Sequence, residues 1–364
     1  MDKLRVLIVG GGTGGHVIPA LAVARELAGR HSAEILFVGT QRGMETRLVP
    51  EAGFNLKLID VGPLKNVSLL TRLRTLIELP RSLFACRALI REFKPNVVFG
   101  VGGYASGPGM AAALFEHVPA MAFEPNAMPG FANRVVGKRV QAAAVSFPAA
   151  AKWFRNVEVT GIPVRKEFFG LGQPAGPPHL LVFGGSQGAR LFNNALPQIA
   201  PALLEAVPGL TILHQAGARN FQATQAAYGG SGADPARWEV RAFLDDMPAR
   251  FGAAHLAMAR SGASTVAELA AAGKPALLVP FAAAADHHQQ RNAEEMVRAG
   301  AAVMLTEIDL QTPGKLFETL AALLSDPARL AAMSAAAKTQ AKPDAVERIT
   351  ARLAELAKSG SQQD

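Results

Sequence analysis

Short apolar runs recur along the chain, each followed by a glycine-rich or polar turn and then by a stretch with helical spacing of its apolar residues. The first, Leu4-Arg-Val-Leu-Ile-Val9, reads as a buried strand, followed by glycines and a helix from about Val17 to Ala28. The same grammar returns at His179-Leu-Leu-Val-Phe183, with the turn Gly184-Gly-Ser-Gln-Gly188 and a helical segment from Ala189 to about Ile199. Ile35–Val38, Val97–Val101, Ala120–Phe123, Thr211–His214 and Ala276–Val279 supply further strands between helical stretches. This alternation predicts an α/β fold of parallel sheets, and its restart near residue 180 predicts two doubly wound lobes. Gly161-Ile-Pro-Val164 and the Gly/Pro-rich run from Gly170 to Pro178 place the junction near residues 161–165, so the expected lobes are 1–162 and 163–340. The Ala-rich stretch from Ser334 to Lys358 predicts a helix, leaving 341–364 as a terminal helix with a frayed polar tail.

The length of 364 residues suits two such lobes, and 49% hydrophobic against 18% charged residues fits compact folding. Cys86 is the one cysteine, which rules out an internal disulfide and a cysteine-pair metal site and fits a reducing compartment. The apolar run at the amino end breaks at Gly10, so a secretion signal is not expected, and no run is long enough for a spanning helix. The excess of Lys and Arg over Asp and Glu leaves a net charge of +8, which favours an anionic partner without choosing among phosphate, nucleic acid and acidic membrane.

Three glycine loops narrow that choice. Gly10-Gly-Gly-Thr-Gly-Gly-His16 turns out of a strand, and the missing Cβ atoms let backbone N–H groups approach a phosphate at a helix amino end. Gly10-x-Gly12-x-x-Gly15 also matches the dinucleotide fingerprint, but the second strand ends Phe37-Val-Gly39-Thr40 with no acidic residue for the ribose. Nor does a Walker-type Gly-Lys-Ser/Thr follow. Gly102-Gly-Tyr-Ala-Ser-Gly107 and Gly184-Gly-Ser186-Gln-Gly188-Ala-Arg190 are further candidate cradles, the latter adding a hydroxyl and a cation. Three such loops at strand ends suggest two phosphorylated ligands; the alternative for each is a tight turn made for close helix packing.

In the second half, Arg260-Ser-Gly-Ala-Ser264-Thr265-Val-Ala-Glu268 sets hydroxyls at a helix start with a carboxylate one turn in. Ser264 and Thr265 either cap the helix or bind phosphate, and Glu268 either accepts from a ribose diol or complements the helix dipole. Asp286-His-His-Gln289-Gln290-x-Asn292 is dense in groups that suit sugar hydroxyls, while His287 and His288 are adjacent and not spaced for a metal.

These segments together resemble the MurG family of peptidoglycan glycosyltransferases, which add N-acetylglucosamine to a lipid-linked N-acetylmuramoyl-peptide. The pieces that carry the likeness are Gly11 to His16, Gly102 to Ser106, Gly184 to Arg190, Phe243-Leu-Asp-Asp-Met247, Ser261 to Glu268, and Gly273-Lys-Pro-Ala276 leading to Asp286 to Asn292. The resemblance implies a GT-B fold: two Rossmann-like parallel-sheet lobes with a cleft between them, the terminal helix packing back on the first. It implies that UDP-N-acetylglucosamine is held by Thr13, Gly14, Gly15, Asn126, Arg165, Ser186, Leu244, Ala263, Ser264, Thr265, Val266, Ala267, Glu268, Gln289 and Gln290. Gly103, Tyr104 and Ser106 are the candidates for the acceptor diphosphate. One departure stands out: the family's His-Glu-Gln-Asn stretch is Phe123-Glu124-Pro125-Asn126 here.

The implied reaction is inversion, in which the muramoyl 4-hydroxyl attacks the anomeric carbon of the α-linked donor, in the lipid I to lipid II step of cell-wall synthesis. His16 is the first candidate base and Glu124 the second; for His16 the alternative is helix capping or anion binding. Ser186, Arg165 and a helix amino end would disperse the leaving charge. No Asp-x-Asp motif suggests a divalent ion, so neither cofactor nor metal is expected. From Leu69 to Arg91, apolar Leu69, Leu70, Leu73, Leu76, Ile77, Leu83 and Phe84 interleave with Arg72, Arg74, Arg81, Arg87 and Arg91. That pattern fits a basic face on an anionic membrane, or else a buried helix with a solvated basic side. The resemblance places the protein peripherally on the cytoplasmic face of the inner membrane. Diacylglycerol and antibiotic glycosyltransferases share parts of these loops, and a nucleic-acid binder would exploit the charge, though no stacking set is visible in 2 Trp and 2 Tyr.

Overall fold

The computed structural model describes residues 3–61 and 69–360, with side chains described except at 69–77 and 360. The chain divides into two compact units, Met1–Pro163 with Lys342–Asp364, and Val164–Ala341.

The first unit runs β1 (Arg5–Gly10), α1 (Gly14–His31), β2 (Glu34–Thr40), α2 (Glu45–Glu51), β3 (Asn55–Ile59), α3 (Leu69–Phe93), β4 (Val97–Gly102), α4 (Ser106–Phe115), β5 (Ala120–Glu124), α5 (Phe131–Val136), β6 (Ala142–Val145) and β7 (Val157–Val159). Among the described residues its seven strands form one sheet in the order β3-β2-β1-β4-β5-β6-β7, with all neighbouring strands parallel. β4 and β5 are buried at every residue, which explains their unbroken apolar sequences: helices cover both faces of a parallel sheet.

The second unit runs β8 (His179–Phe183), α6 (Arg190–Ala206), β9 (Thr211–Gln215), α7 (Phe221–Gly229), β10 (Trp238–Arg241), α8 (Met247–Ala253), β11 (Leu256–Ala259), α9 (Ala263–Ala272), β12 (Ala276–Leu278), α10 (His288–Arg298), β13 (Ala302–Met304), α11 (Lys315–Leu324) and α12 (Pro327–Thr339). Its strands form a parallel sheet in the order β10-β9-β8-β11-β12-β13. Each unit has its own apolar core, one gathered around Leu7, Val98 and Met110, the other around Leu180, Phe192 and Met258.

The expected single helix from Ser334 to Lys358 is instead two helices, a correction with a local cause. α12 ends at Thr339, and α13 (Ala345–Gly360) begins after Pro343, whose ring cannot continue a helix. The chain passes from the second unit to the first between Ala341 and Lys342. α13 then packs on α1, buries Ile349 and Leu353, and is tied down by Arg348, whose guanidinium lies 2.7 Å from Glu158. Among the described residues no helix is long and apolar enough to cross a membrane.

Candidate donor and acceptor half-sites

In each sheet the strand order reverses once, between β1 and β4 and between β8 and β11. Loops leaving the carboxyl ends of such neighbours diverge and open a ligand crevice. The glycine loops emerge at these two places.

In the first unit, the loops after β1 and β4 interlock by backbone alone. Gly11 N–H donates to Gly102 O at 3.0 Å, and a Cβ on Gly10 or Gly103 would come within 2.2 Å of the carbonyl of Gly102 or Gly11. Both glycines have positive φ, +138° and +81°, so two constraints demand glycine there. α1 begins at Gly14, three residues earlier than the apolar pattern suggested, and places Gly14, Gly15 and His16 in its first turn. Neither Thr13 before α1 nor Ala105 before α4 caps its helix with a side chain. The first N–H groups of those helices therefore remain for a ligand. Thr13 Oγ1 lies 3.2 Å from His16 Nδ1, and the His16 ring packs over Gly102, where a Cβ would meet Nε2 at 2.8 Å. Tyr104 is exposed beside this site.

One sequence expectation changes here. Ser106 is fully buried, and its hydroxyl, set near Gly100, is enclosed without a hydrogen-bond partner, so it stays beside Gly103 and Tyr104 as a candidate anion contact. Glu124 is buried, and its carboxylate accepts from Asn126 N–H (2.9 Å), Asn126 Nδ2 (3.2 Å), Gly130 N–H (3.0 Å) and Asn133 Nδ2 (2.9 Å). Burial pushes this carboxyl above its ordinary value, and the Asn133, Asn126 and Gly130 donors pull it back. A carboxylate so occupied folds the 125–130 turn and presents Asn126; it has no lone pair aimed at an incoming hydroxyl. Phe123, where the related family has His, fills core space against Phe99, with ring centroids 6.1 Å apart.

In the second unit, α6 follows the loop Gly184 to Gly188. Gly188 has φ +70°, and a Cβ there would strike Ala216 O at 1.9 Å, so the loop lies directly on the end of β9. Ser186 is exposed on it. α9 starts beside it with Gly262 as its N-cap and no side-chain cap. Ser264 and Thr265 thus lie inside the first turn and are not the capping residues, which removes the blander reading of both. The Ser264 hydroxyl is enclosed without a hydrogen-bond partner, and such a group is costly unless a ligand completes it. One turn on, burial pushes the Glu268 carboxyl up to about 7, opposed by the Arg165 guanidinium nearby. Arg165 is exposed and its guanidinium lies 5.0 Å from the Phe168 ring centroid.

The loop from β12 to α10 completes this half-site. Asp286 and His287 both have φ of 52°, a strained pair for residues with side chains. Gln289 Oε1 accepts from Phe281 N–H at 3.0 Å, which aims the rest of its amide, and Gln290 is exposed and bonded to Glu294. Ser261 Oγ donates to Gln289 O, while Asn292 Nδ2 donates to Ser261 O, so α9 and α10 are locked together at their amino ends. Leu244 is buried, next to exposed Phe243, in the turn after β10. Ala263, Val266 and Ala267 form the body of the first turns of α9.

Residues that the motif reading left without a role explain this rigidity. Arg260 bonds the carbonyls of Val279 and Pro280 and pairs with Glu307 at 2.6 Å. Lys274, fully buried, donates to the carbonyls of Gly172, Gly252 and Ala254. In the first unit the overlooked group is Glu45, whose only outward sign was a carboxylate among Gly39, Gly43 and the first glycine loop.

Two all-parallel doubly wound lobes with uncapped helix starts at their switch points are the architecture of the GT-B class. The chain matches the Glycosyltransferase family 28 N-terminal domain over residues 6–145 and the Glycosyltransferase family 28 C-terminal domain over 179–349. It is 46% identical to the UDP-N-acetylglucosamine--N-acetylmuramyl-(pentapeptide) pyrophosphoryl-undecaprenol N-acetylglucosamine transferase of Solibacter usitatus, over 97% of this chain and 96% of that protein. The same-named protein of Anaeromyxobacter sp. is 44% identical, over 97% of this chain and 93% of that one. The crystal structure of Acinetobacter baumannii MurG superposes with a TM-score of 0.81 at 30% identity, covering 97% of this chain and 100% of that one. The chain belongs to the MurG family.

Proposed function

We propose that the protein transfers N-acetylglucosamine from UDP-N-acetylglucosamine to the 4-hydroxyl of undecaprenyl-diphosphate-linked N-acetylmuramoyl-pentapeptide, with inversion and without a metal. The observation that carries the donor assignment is the first turn of α9: an uncapped helix start, an enclosed Ser264 hydroxyl awaiting a partner, and Glu268 one turn behind. The diphosphate takes the N–H groups of α6 and α9 with Ser186 and Ser264. Glu268 accepts from the ribose diol, Leu244 offers backbone groups to uracil, and Gln289 and Gln290 read the sugar. The lipid diphosphate takes the N–H groups at Gly103 and Tyr104.

In the reaction the acceptor 4-oxygen bonds to the anomeric carbon as the bond from that carbon to the UDP oxygen breaks. His16 takes the 4-hydroxyl proton, with Thr13 orienting its ring through Nδ1. Arg165, Ser186 and the α6 and α9 dipoles take up the charge that develops on UDP.

A lipid-borne acceptor also asks for membrane docking, and α3 and α4 supply a face for it. Phe84 and Phe115 are 63% and 61% exposed, and Arg87 reaches from α3 over the Phe115 ring at 5.7 Å. α5, packed on α4, adds exposed Phe131 and Val135 near Lys138 and Arg139. Aromatic side chains with basic neighbours suit an anionic bilayer surface. The side chains of Leu69, Leu70, Arg72, Leu73, Arg74, Leu76 and Ile77 lie outside the described residues.

The substrate assignment is tested by offering the purified protein labelled UDP-N-acetylglucosamine with either the short-chain lipid-linked muramoyl-pentapeptide or diacylglycerol. Disaccharide formed on the muramoyl lipid alone supports it. Sugar appearing on diacylglycerol would reassign the acceptor while leaving the donor half-site intact.

A further inference from the structure

We infer that Glu45 is the positioning residue of the first half-site: its carboxylate sets the course of the loop from Gly10 to Gly15 and thereby aims the His16 ring. This rests on the reading that this loop serves the acceptor.

Glu45 opens α2, where the helix dipole favours its negative charge, and it is buried to 1% exposure. One carboxylate oxygen accepts from Gly12 N–H at 2.7 Å. The other accepts from Thr40 N–H at 2.9 Å and Thr40 Oγ1 at 3.1 Å. The neighbouring Met44 N–H donates to Gly12 O at 3.1 Å, so the donor and the acceptor of Gly12 are both held by consecutive residues of one turn. Three glycines from separate segments clear the space this carboxylate fills. A Cβ on Gly11 or Gly39 would come within 2.4 Å of its side-chain carbons, and one on Gly43 within 1.9 Å of an oxygen.

The construction pins the loop at its midpoint, one residue before the cap of α1 and four before His16. It also commits the Gly12 N–H to the protein. The N–H groups left for a ligand are then those at the start of α1, where His16 stands.

Glutamine cannot replace this group. If its oxygen serves Thr40, its NH2 faces the Gly12 N–H, and the reverse orientation sets NH2 against the Thr40 N–H, so one donor always meets a donor. The loop loses one anchor while its apolar supports remain.

The test compares wild type and Glu45→Gln by initial rates in both substrates, by UDP titration, and by the 15N resonances of the His16 ring. The expected result is a fall of about 100-fold in kcat over KM for the lipid acceptor, the scale of a catalytic group displaced by about 1 Å. UDP affinity should stay within about twofold, since α9 and α6 are untouched, and the His16 resonances should move. Thr40→Val, which removes one of the donors, should shift both readouts the same way by a smaller amount and serves if Glu45→Gln does not fold. Unchanged acceptor kinetics and His16 resonances would overturn the inference, as would a parallel loss of UDP affinity and thermal stability. A wild type that cannot use the lipid acceptor would instead sink the functional reading, and the His16 resonances would still decide the role of Glu45.

Discussion

Burial lifts the Glu268 carboxyl up to about 7 from an ordinary 4.5, and this gives the donor half-site a pH signature. The folded chain holds that proton more tightly than the unfolded one, so the contribution of Glu268 to stability falls as pH rises from about 4.5 to 7. Nucleotide binding has the opposite slope. A ribose diol donates best to the ionised carboxylate, so UDP affinity should climb as pH rises through about 7 and level off above it. Glu268→Gln should flatten that rise and weaken UDP binding by roughly 10- to 100-fold, the worth of hydrogen bonds to a charged group. Calorimetric titration of UDP across neutral pH reads both, and a wild-type affinity indifferent to pH would count against Glu268 as the ribose acceptor. For His16 the expected pattern differs: His16→Ala should lower kcat by about 100- to 10,000-fold with UDP affinity unchanged, measured under saturating donor and acceptor. At this scale the sequence offered Ser, Thr, Glu and Gln at helix starts as candidates, because such residues have few uses there. The surroundings of Glu124 were not legible, since nothing in the local pattern shows that Asn126, Gly130 and Asn133 converge on that carboxylate. Glu45 stayed hidden for the same reason: its partners Gly12 and Thr40 lie in other segments.

Elements carry the membrane argument. α3 reads from sequence as a basic amphipathic surface or as a buried helix with a solvated basic side, and its described side chains lie in both environments. Cys86 and Ile90 are buried in the core while Phe84 and Arg91 are exposed. Arg87 and Arg91 also pair with Glu116 of the segment after α4, at 2.6 and 2.9 Å, so not every arginine of the helix is left for lipid. Replacing Phe84 and Phe115 together by serine should reduce binding to anionic vesicles by about tenfold or more, because each exposed ring loses its apolar contribution. Transfer to a short-chain acceptor in detergent should be preserved. Vesicle flotation checks the first and an initial rate the second; undiminished flotation would remove α3 and α4 from the docking surface. The break between α12 and α13 was legible only as Pro343, and an Ala-rich stretch on both sides concealed it. Whether a helix ends there depends on its packing partners, and α12 lies on α9 whereas α13 lies on α1.

For the whole molecule, strand–glycine–helix grammar repeated in both halves was enough to read two doubly wound lobes, because parallel strands covered on both faces must be continuously apolar. Strand order was not legible: apolar runs do not say which neighbours pair, and the reversals at β1/β4 and β8/β11 appear only in three dimensions. Those reversals are what gather glycine loops distant in sequence into two half-sites, which we propose take a nucleotide and a lipid-linked diphosphate. The most direct test of that division is the product itself, formed from labelled UDP-N-acetylglucosamine and the short-chain muramoyl-pentapeptide lipid with EDTA present, its linkage read by NMR. The expected product is a β-1,4-linked disaccharide formed at an undiminished rate; an α linkage, or activity lost to EDTA and restored by magnesium, would contradict the inverting, metal-independent transfer.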